Sequence, residues 1–207
     1  MTSTETGSQA IEAYRQKIAK AFKTESVFNP YNAELKANFK TLSDFVADCC
    51  ASEKFNLKGG RWLTLSGECG CGKTMLAKEA FYLIAERTFR SLALDGENWE
   101  SHFATVYNLA DAWRSGDWLN KPARDAFFLV IDDLGAERDS SGFVKDKMFE
   151  LLNARMGKWM LITTNLSLKN IAENYDARIA SRLIRDGNIF MRINAGDYWL
   201  LRERGRL

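Results

Sequence analysis

The chain has 207 residues, with 46% hydrophobic and 27% charged content and a formal net charge of +2. That is enough chain for one domain with a self-sufficient core, and the composition excludes a disordered or fibrous polypeptide. No global basic field announces nucleic acid, no apolar run is long enough to span a bilayer, and the polar residues 1–8 lack a secretory pattern, so a soluble, cytoplasmic protein is expected.

In chain order, residues 9–23 carry a helical stripe of Ile11, Tyr14, Ile18, Ala21 and Phe22. Such a stripe packs on its own domain or docks a partner, and the pattern leaves both readings open. A turn cluster at residues 28–32 leads into a helix over residues 33–52, with Leu35, Phe39, Leu42, Phe45, Val46 and Cys49 near helical spacing. Residues 58–61 turn the chain into a strand over residues 62–66.

Next comes Gly67-Glu68-Cys69-Gly70-Cys71-Gly72-Lys73-Thr74, which fits G-x-x-x-x-G-K-[ST]. A helix follows over residues 75–87, with Leu76, Ala80, Leu83 and Ile84 on one face. The segment therefore sits between a strand and a helix N-terminus, where a phosphate-binding loop needs it. Glycines let the backbone wrap a phosphate so that N–H groups point inward, and the helix dipole adds positive potential. In such a loop Lys73 reaches the β and γ phosphates and Thr74 ligates Mg²⁺. The four cysteines, Cys49, Cys50, Cys69 and Cys71, with His102 as the one histidine, do not make a zinc spacing and read as reduced thiols.

Residues 94–98 read as a loop, 102–107 as a strand and 109–119 as a short helix that Asn120-Lys121-Pro122 breaks. Residues 127–131 form a continuous apolar run of the kind buried on both faces of a parallel sheet, and they end in Asp132-Asp133. A carboxylate there suits Mg²⁺, and the next one suits a general base for water. Residues 139–141 offer a cap for a helix with the stripe Val144, Met148, Leu151 and Leu152. Residues 159–164 form another buried strand that ends in Asn165, whose amide can orient water or meet a γ-phosphate. Residues 168–185 read as a helix broken near Asn174, in which Arg178 and Arg182 stand one turn apart. Residues 188–193 are a last strand and 197–204 a closing helix. Five strands alternating with helices make an α/β sandwich with a mostly parallel sheet.

The order of phosphate loop, Phe128-Leu129-Val130-Ile131-Asp132-Asp133-Leu134-Gly135-Ala136-Glu137, Ile162-Thr163-Thr164-Asn165 and Asp176-Ala177-Arg178-Ile179-Ala180-Ser181-Arg182-Leu183 resembles AAA+ ATPases of the DnaC/DnaI/IstB type, over roughly residues 25–200. These are replicative helicase loaders and transposition helper ATPases. The resemblance implies a P-loop NTPase fold, with a five-stranded sheet between helices as an AAA+ core over residues 26–207 and residues 1–25 as a tail and partner-docking helix. It implies ATP with Mg²⁺, and hydrolysis raised by assembly or DNA. It implies a homo-oligomer formed on ATP or DNA, with single-stranded DNA and a replicative helicase, or alternatively a transposase, as partners. On this resemblance Asn165 matches the sensor-1 residue and Arg182 the arginine finger, with Arg178 beside it as second candidate. Phe28 and Tyr31 would help enclose the adenine. Trp113, Arg114 and Trp118 fall in the region that related initiators and loaders use for single-stranded DNA, and Arg202, Arg204 and Arg206 offer further phosphate contacts.

The sequence departs from that pattern in three places. Asp133 is one methylene shorter than the glutamate many AAA+ members carry, which points to slow hydrolysis. The short N-terminal segment stands where such loaders have a larger domain. No helical lid, and so no sensor-2 arginine, is expected after the last strand. An ATP-dependent adaptor without turnover and a small-molecule kinase are the competing readings from other function classes.

Overall fold

The computed structural model describes residues 3–26, 28, 30, 32–87, 91–94, 120–136, 143–197 and 203. A five-stranded sheet forms its centre: β1 Trp62–Gly67, β2 Ser91–Leu94, β3 Phe128–Ile131, β4 Trp159–Thr164 and β5 Ile189–Ile193. All neighbouring strands are parallel, in the order β2-β3-β4-β1-β5. β4 therefore lies between β1 and β3, with Leu161 level with Leu63 on one side and with Val130 on the other.

A parallel sheet must be covered on both faces, and the period-2 alternation of its strands sorts the residues into two cores. Leu63, Leu65, Phe128, Val130 and Leu161 meet α1 Ser3–Glu25, α2 Ala33–Lys54 and α3 Lys73–Ala85. Trp62, Leu129, Ile131, Met160 and Ile162 meet the opposite layer, which holds α4 Asn120–Asp125, α5 Phe143–Arg155, α6 Leu168–Asn170 and α7 Ala177–Ile184. Arg155, at the end of α5, is fully buried. Its guanidinium donates to the carbonyls of Ala126 and Trp159, tying the starts of β3 and β4, and burial pushes its pKa down to about 10. No helix among the described residues is long and apolar enough to cross a membrane.

The stripe on α1 turns inward. Ile18 and Phe22 are buried, Phe22 stacks on Phe39 with ring centroids 5.3 Å apart, and Arg15 pairs with Asp48 of α2 at 2.8 Å. α2 begins where the Asn32 side chain accepts from the Leu35 N–H at 2.8 Å, the usual N-cap device.

Two elements differ from the sequence expectation. A strand over Ser91–Leu94, directly after α3, is not among the expected elements, and the strand expected over residues 102–107 lies outside the described residues. Asn120-Lys121-Pro122, expected as a break, belong to α4, whose first turn admits a proline because the missing N–H has no partner there. The break expected near Asn174 is present as a π-helical turn over Ile171–Tyr175 followed by Asp176. There the Asp176 side chain caps α7 by accepting from the N–H groups of Arg178 and Ile179. The helix expected over 109–119, with Trp113, Arg114 and Trp118, the cap at 139–141, and Arg202, Arg204 and Arg206 lie outside the described residues. Of the closing helix expected over 197–204, Asp197 stands outside any helix and Glu203 is helical.

Candidate functional site

β1 ends at Gly67 and α3 begins at Lys73, so residues 68–72 form the connecting loop. Gly70 and Gly72 have φ of +78° and +91°, a left-handed backbone that side chains resist. Space is short as well. A Cβ on Gly67 would stand 2.6 Å from the Ile193 carbonyl oxygen, and one on Gly70 would run into the Asp197 carboxylate. The ring of Phe28 lies 3.5 Å from the Cβ position of Gly72 and stacks on Phe39, so it walls the start of α3. Tyr31 lies outside the described residues.

The Lys73 side chain is buried to 6% exposure and turns back into the loop. Its ammonium donates to the carbonyls of Gly67 at 3.0 Å and Glu68 at 2.7 Å, and to Asn165 Oδ1 at 2.8 Å, with Cys71 Sγ at 3.7 Å. The other end of the Asn165 amide donates to Asp133 Oδ1 at 2.7 Å. One amide thus joins the loop lysine to the second carboxylate, its oxygen toward the cation and its nitrogen toward the anion. Strand order makes this reach available: Asn165 directly follows β4, between the ends of β1 and β3.

Asp132 is tied in from the other side. Its Oδ1 accepts from Thr74 Oγ1 at 3.0 Å and also from Thr163 Oγ1. The Thr163 hydroxyl in turn accepts the Asp133 N–H at 2.8 Å. Asp133 has φ +58°, the left-handed region that Asp and Asn enter more readily than other side chains. Burial raises the Asp132 pKa above the ordinary carboxylate value. The hydroxyls of Thr163 and Thr74 act against that rise, Asp133 adds to it and Lys73 opposes it.

The sign of that shift yields a test. A carboxyl raised in the fold favours folding when protonated. The contribution is full below the ordinary carboxylate pKa and is lost as pH rises through the raised value. At neutral pH the ionised Asp132 is a cost that a cation would offset. Asp132→Asn keeps an acceptor for both hydroxyls and removes the charge. Without nucleotide at pH 7.5 this variant is expected to melt about 2–4 °C above wild type, the shift that ~1 kcal/mol gives a chain of this size. The gap should close on acidification, as thermal melts across pH would read. A variant less stable than wild type at neutral pH would refute the assignment of cost to this charge.

The arginines stand apart from this group. Arg178 pairs with Asp176 at 2.7 Å and with Asp146 of α5 at 3.3 Å. Arg182 donates through Nε to Asn153 Oδ1 at 2.6 Å and through Nη1 to the Arg178 carbonyl at 3.0 Å. The guanidinium carbons of both lie 4.2 Å from the centroid of the Phe149 ring. Desolvation first, then Arg185 and Arg178, lower the Arg182 pKa.

Five of the site residues expected from sequence, Lys73, Thr74, Asp132, Asp133 and Asn165, thus form one hydrogen-bonded group, and Phe28 borders it. Cys71 is buried beside Lys73 and Cys69 is exposed, both as free thiols. Sequence reading missed Thr163, Asp197 and Phe149. Thr163 carried a signal, because it and Thr164 are polar residues that end a fully buried strand.

No family model matches the sequence, and no curated protein matches it. Solved structures do resemble it. A structure of the DnaC helicase loader has a TM-score of 0.63 and 23% identity, and the match covers 84% of this chain and 99% of that one. A structure of DnaI has a TM-score of 0.62 and 21% identity, covering 83% and 87%. The replication initiator DnaA bound to AMPPCP and single-stranded DNA has a TM-score of 0.62 and 13% identity, covering 86% and 54%. The chain has the AAA+ P-loop fold, an α/β fold with a parallel sheet between helices, in the form seen in the DnaC and DnaI structures.

Proposed function

We propose that the chain binds ATP with Mg²⁺ and hydrolyses it as a helicase loader acting in DNA replication. The observation that carries this reading is the continuous set of contacts from Lys73 through Asn165 to Asp133, beside Thr74 and Asp132. The groups proposed to hold the triphosphate and its Mg²⁺ and to activate water stand next to one another.

The residues suit the ligands. Lys73 already rests on three oxygen acceptors inside a glycine loop, the setting in which an ammonium exchanges onto phosphate oxygens. The Thr74 hydroxyl and the Asp132 carboxylate form a hard oxygen pair 3.0 Å apart, the donor type Mg²⁺ takes. Bound there, Mg²⁺ would neutralise charge on the phosphates. Asp133 would accept the proton of the attacking water, Asn165 would orient that water against the γ-phosphate, and Phe28 would border the base.

Arg182 is proposed to act on the site of a neighbouring copy. Arg178 is held by two carboxylates, whereas the acceptors of Arg182 are neutral oxygens. Arg182 is therefore the guanidinium whose charge remains available for a phosphate. The likeness to a helicase loader supports a replicative helicase as client, and the DnaA complex supports single-stranded DNA as a second partner. Residues 1–25 are proposed as the docking segment, through the exposed Lys17, Lys20 and Lys23 on the outer side of α1.

The experiment is steady-state ATP hydrolysis against protein concentration, with and without single-stranded DNA. The specific rate should rise with concentration and with DNA, and Arg182→Ala should lose at least tenfold together with that rise. A flat, DNA-indifferent rate that Arg182→Ala leaves unchanged would mean a site complete within one subunit.

A further inference from the structure

Asp146, Phe149 and Asn153 recur at i, i+3 and i+7 on α5 and so share one face. Arg178 and Arg182 share one face of α7 at i and i+4. The two faces meet in a fixed register. Arg178 reaches Asp146 at 3.3 Å, Arg182 reaches Asn153 at 2.6 Å, and the Phe149 ring lies 4.2 Å from both guanidinium carbons. Phe149 is half-buried and packs against the core beneath α5, so the ring has a firm base.

We infer that Phe149 is a positioning residue, the platform that holds Arg182 in the pose in which it serves a neighbouring copy's nucleotide site. This rests on the shared site proposed above.

The physical reason is charge. A carboxylate beside Arg182 would fix it but would also compete with phosphate for it. An aromatic face attracts the cation through its quadrupole and brings no countercharge. The planar guanidinium can lie against a ring while its edge donors stay available. Two of those donors, Nε and Nη1, are fixed by Asn153 and the Arg178 carbonyl, and Nη2 has no partner among the described residues. Arg178, with its two carboxylates, completes the brace from the next turn.

The test separates the subunit that gives the arginine from the one that receives it. Lys73→Ala protein cannot turn over its own ATP but offers Arg182. Arg182→Ala protein has an intact loop and no arginine to give. Mixed with single-stranded DNA, the two should recover hydrolysis that neither shows alone. Phe149→Leu, which keeps an apolar side chain on the core, is then added to one partner at a time. Carried by the Lys73→Ala donor, it should cut the recovered rate by about tenfold. Carried by the Arg182→Ala acceptor, it should change the rate by less than twofold. Phe149→Tyr in the donor, which restores an aromatic face, should return most of the activity.

Equal losses in donor and acceptor, or no loss in either, would overturn the platform and leave the shared site standing. A parent mixture that recovers nothing would overturn the shared site itself, and the platform with it.

Discussion

Lys73→Ala is expected to weaken ATP binding by about thirtyfold or more and to abolish hydrolysis. The ammonium is the one side-chain cation inside the described loop, and it is almost fully buried. Its acceptors are two loop carbonyls and the Asn165 amide oxygen, all neutral. A phosphate oxygen that replaces one of them converts a neutral acceptor to an anionic one in a setting that screens poorly. Truncating one side of such a buried charge contact costs about 2–5 kcal/mol, and each 1.4 kcal/mol is tenfold in affinity. The loss also releases Asn165, since the same amide spans Lys73 and Asp133. Titration of a fluorescent ATP analogue reads the binding. Affinity within threefold of wild type would remove the loop from the proposed site.

Asp133→Asn should separate chemistry from binding. Asparagine tolerates the left-handed backbone at this position, where φ is +58°, so the turn after β3 should persist. The Asp133 N–H contact to Thr163 is made by the backbone and survives the change. What disappears is a carboxylate able to take a proton from water. General-base catalysis is worth about 10²–10⁴-fold, so hydrolysis should fall at least a hundredfold while ATP affinity stays within a few-fold. Single-turnover hydrolysis beside a binding titration checks both halves. An Asp133→Asn protein that hydrolyses at the wild-type rate would assign the base elsewhere. Asp133→Glu should bring no gain. Glutamate enters the left-handed backbone less readily than aspartate, and its extra methylene displaces the carboxylate from the position that meets Asn165 at 2.7 Å.

The loop, four of the five strands and the two acidic residues were legible from sequence for a common reason. Buried parallel strands read as unbroken apolar runs, and their ends are where polar residues resume. β2 escaped because it is four residues long and follows α3 almost at once. Pro122 misled because a proline reads equally as the end of one helix or the first turn of the next. The link from Lys73 through Asn165 to Asp133 was not legible. It depends on β4 lying between β1 and β3, and the order of strands across a sheet is not their order along the chain. The same holds for Phe149 and Asp146, which meet the arginines from an earlier helix whose facing side the sequence pattern alone left unassigned.

The central place of β4 also governs when the site comes into being. Leu63 pairs with Leu161, a separation of 161 − 63 = 98 residues, so β1 joins β4 only after a large loop has closed. Contacts this distant in sequence are slow to form, because the entropy of closure precedes the reward of pairing. A chain that has emerged only as far as α4 carries the whole glycine loop and its lysine, yet lacks the strand that brings Asn165 between them and Asp133. A nucleotide bound as proposed would therefore act on the finished fold and not as an early template. Its concentration would then set how firmly the native state is held.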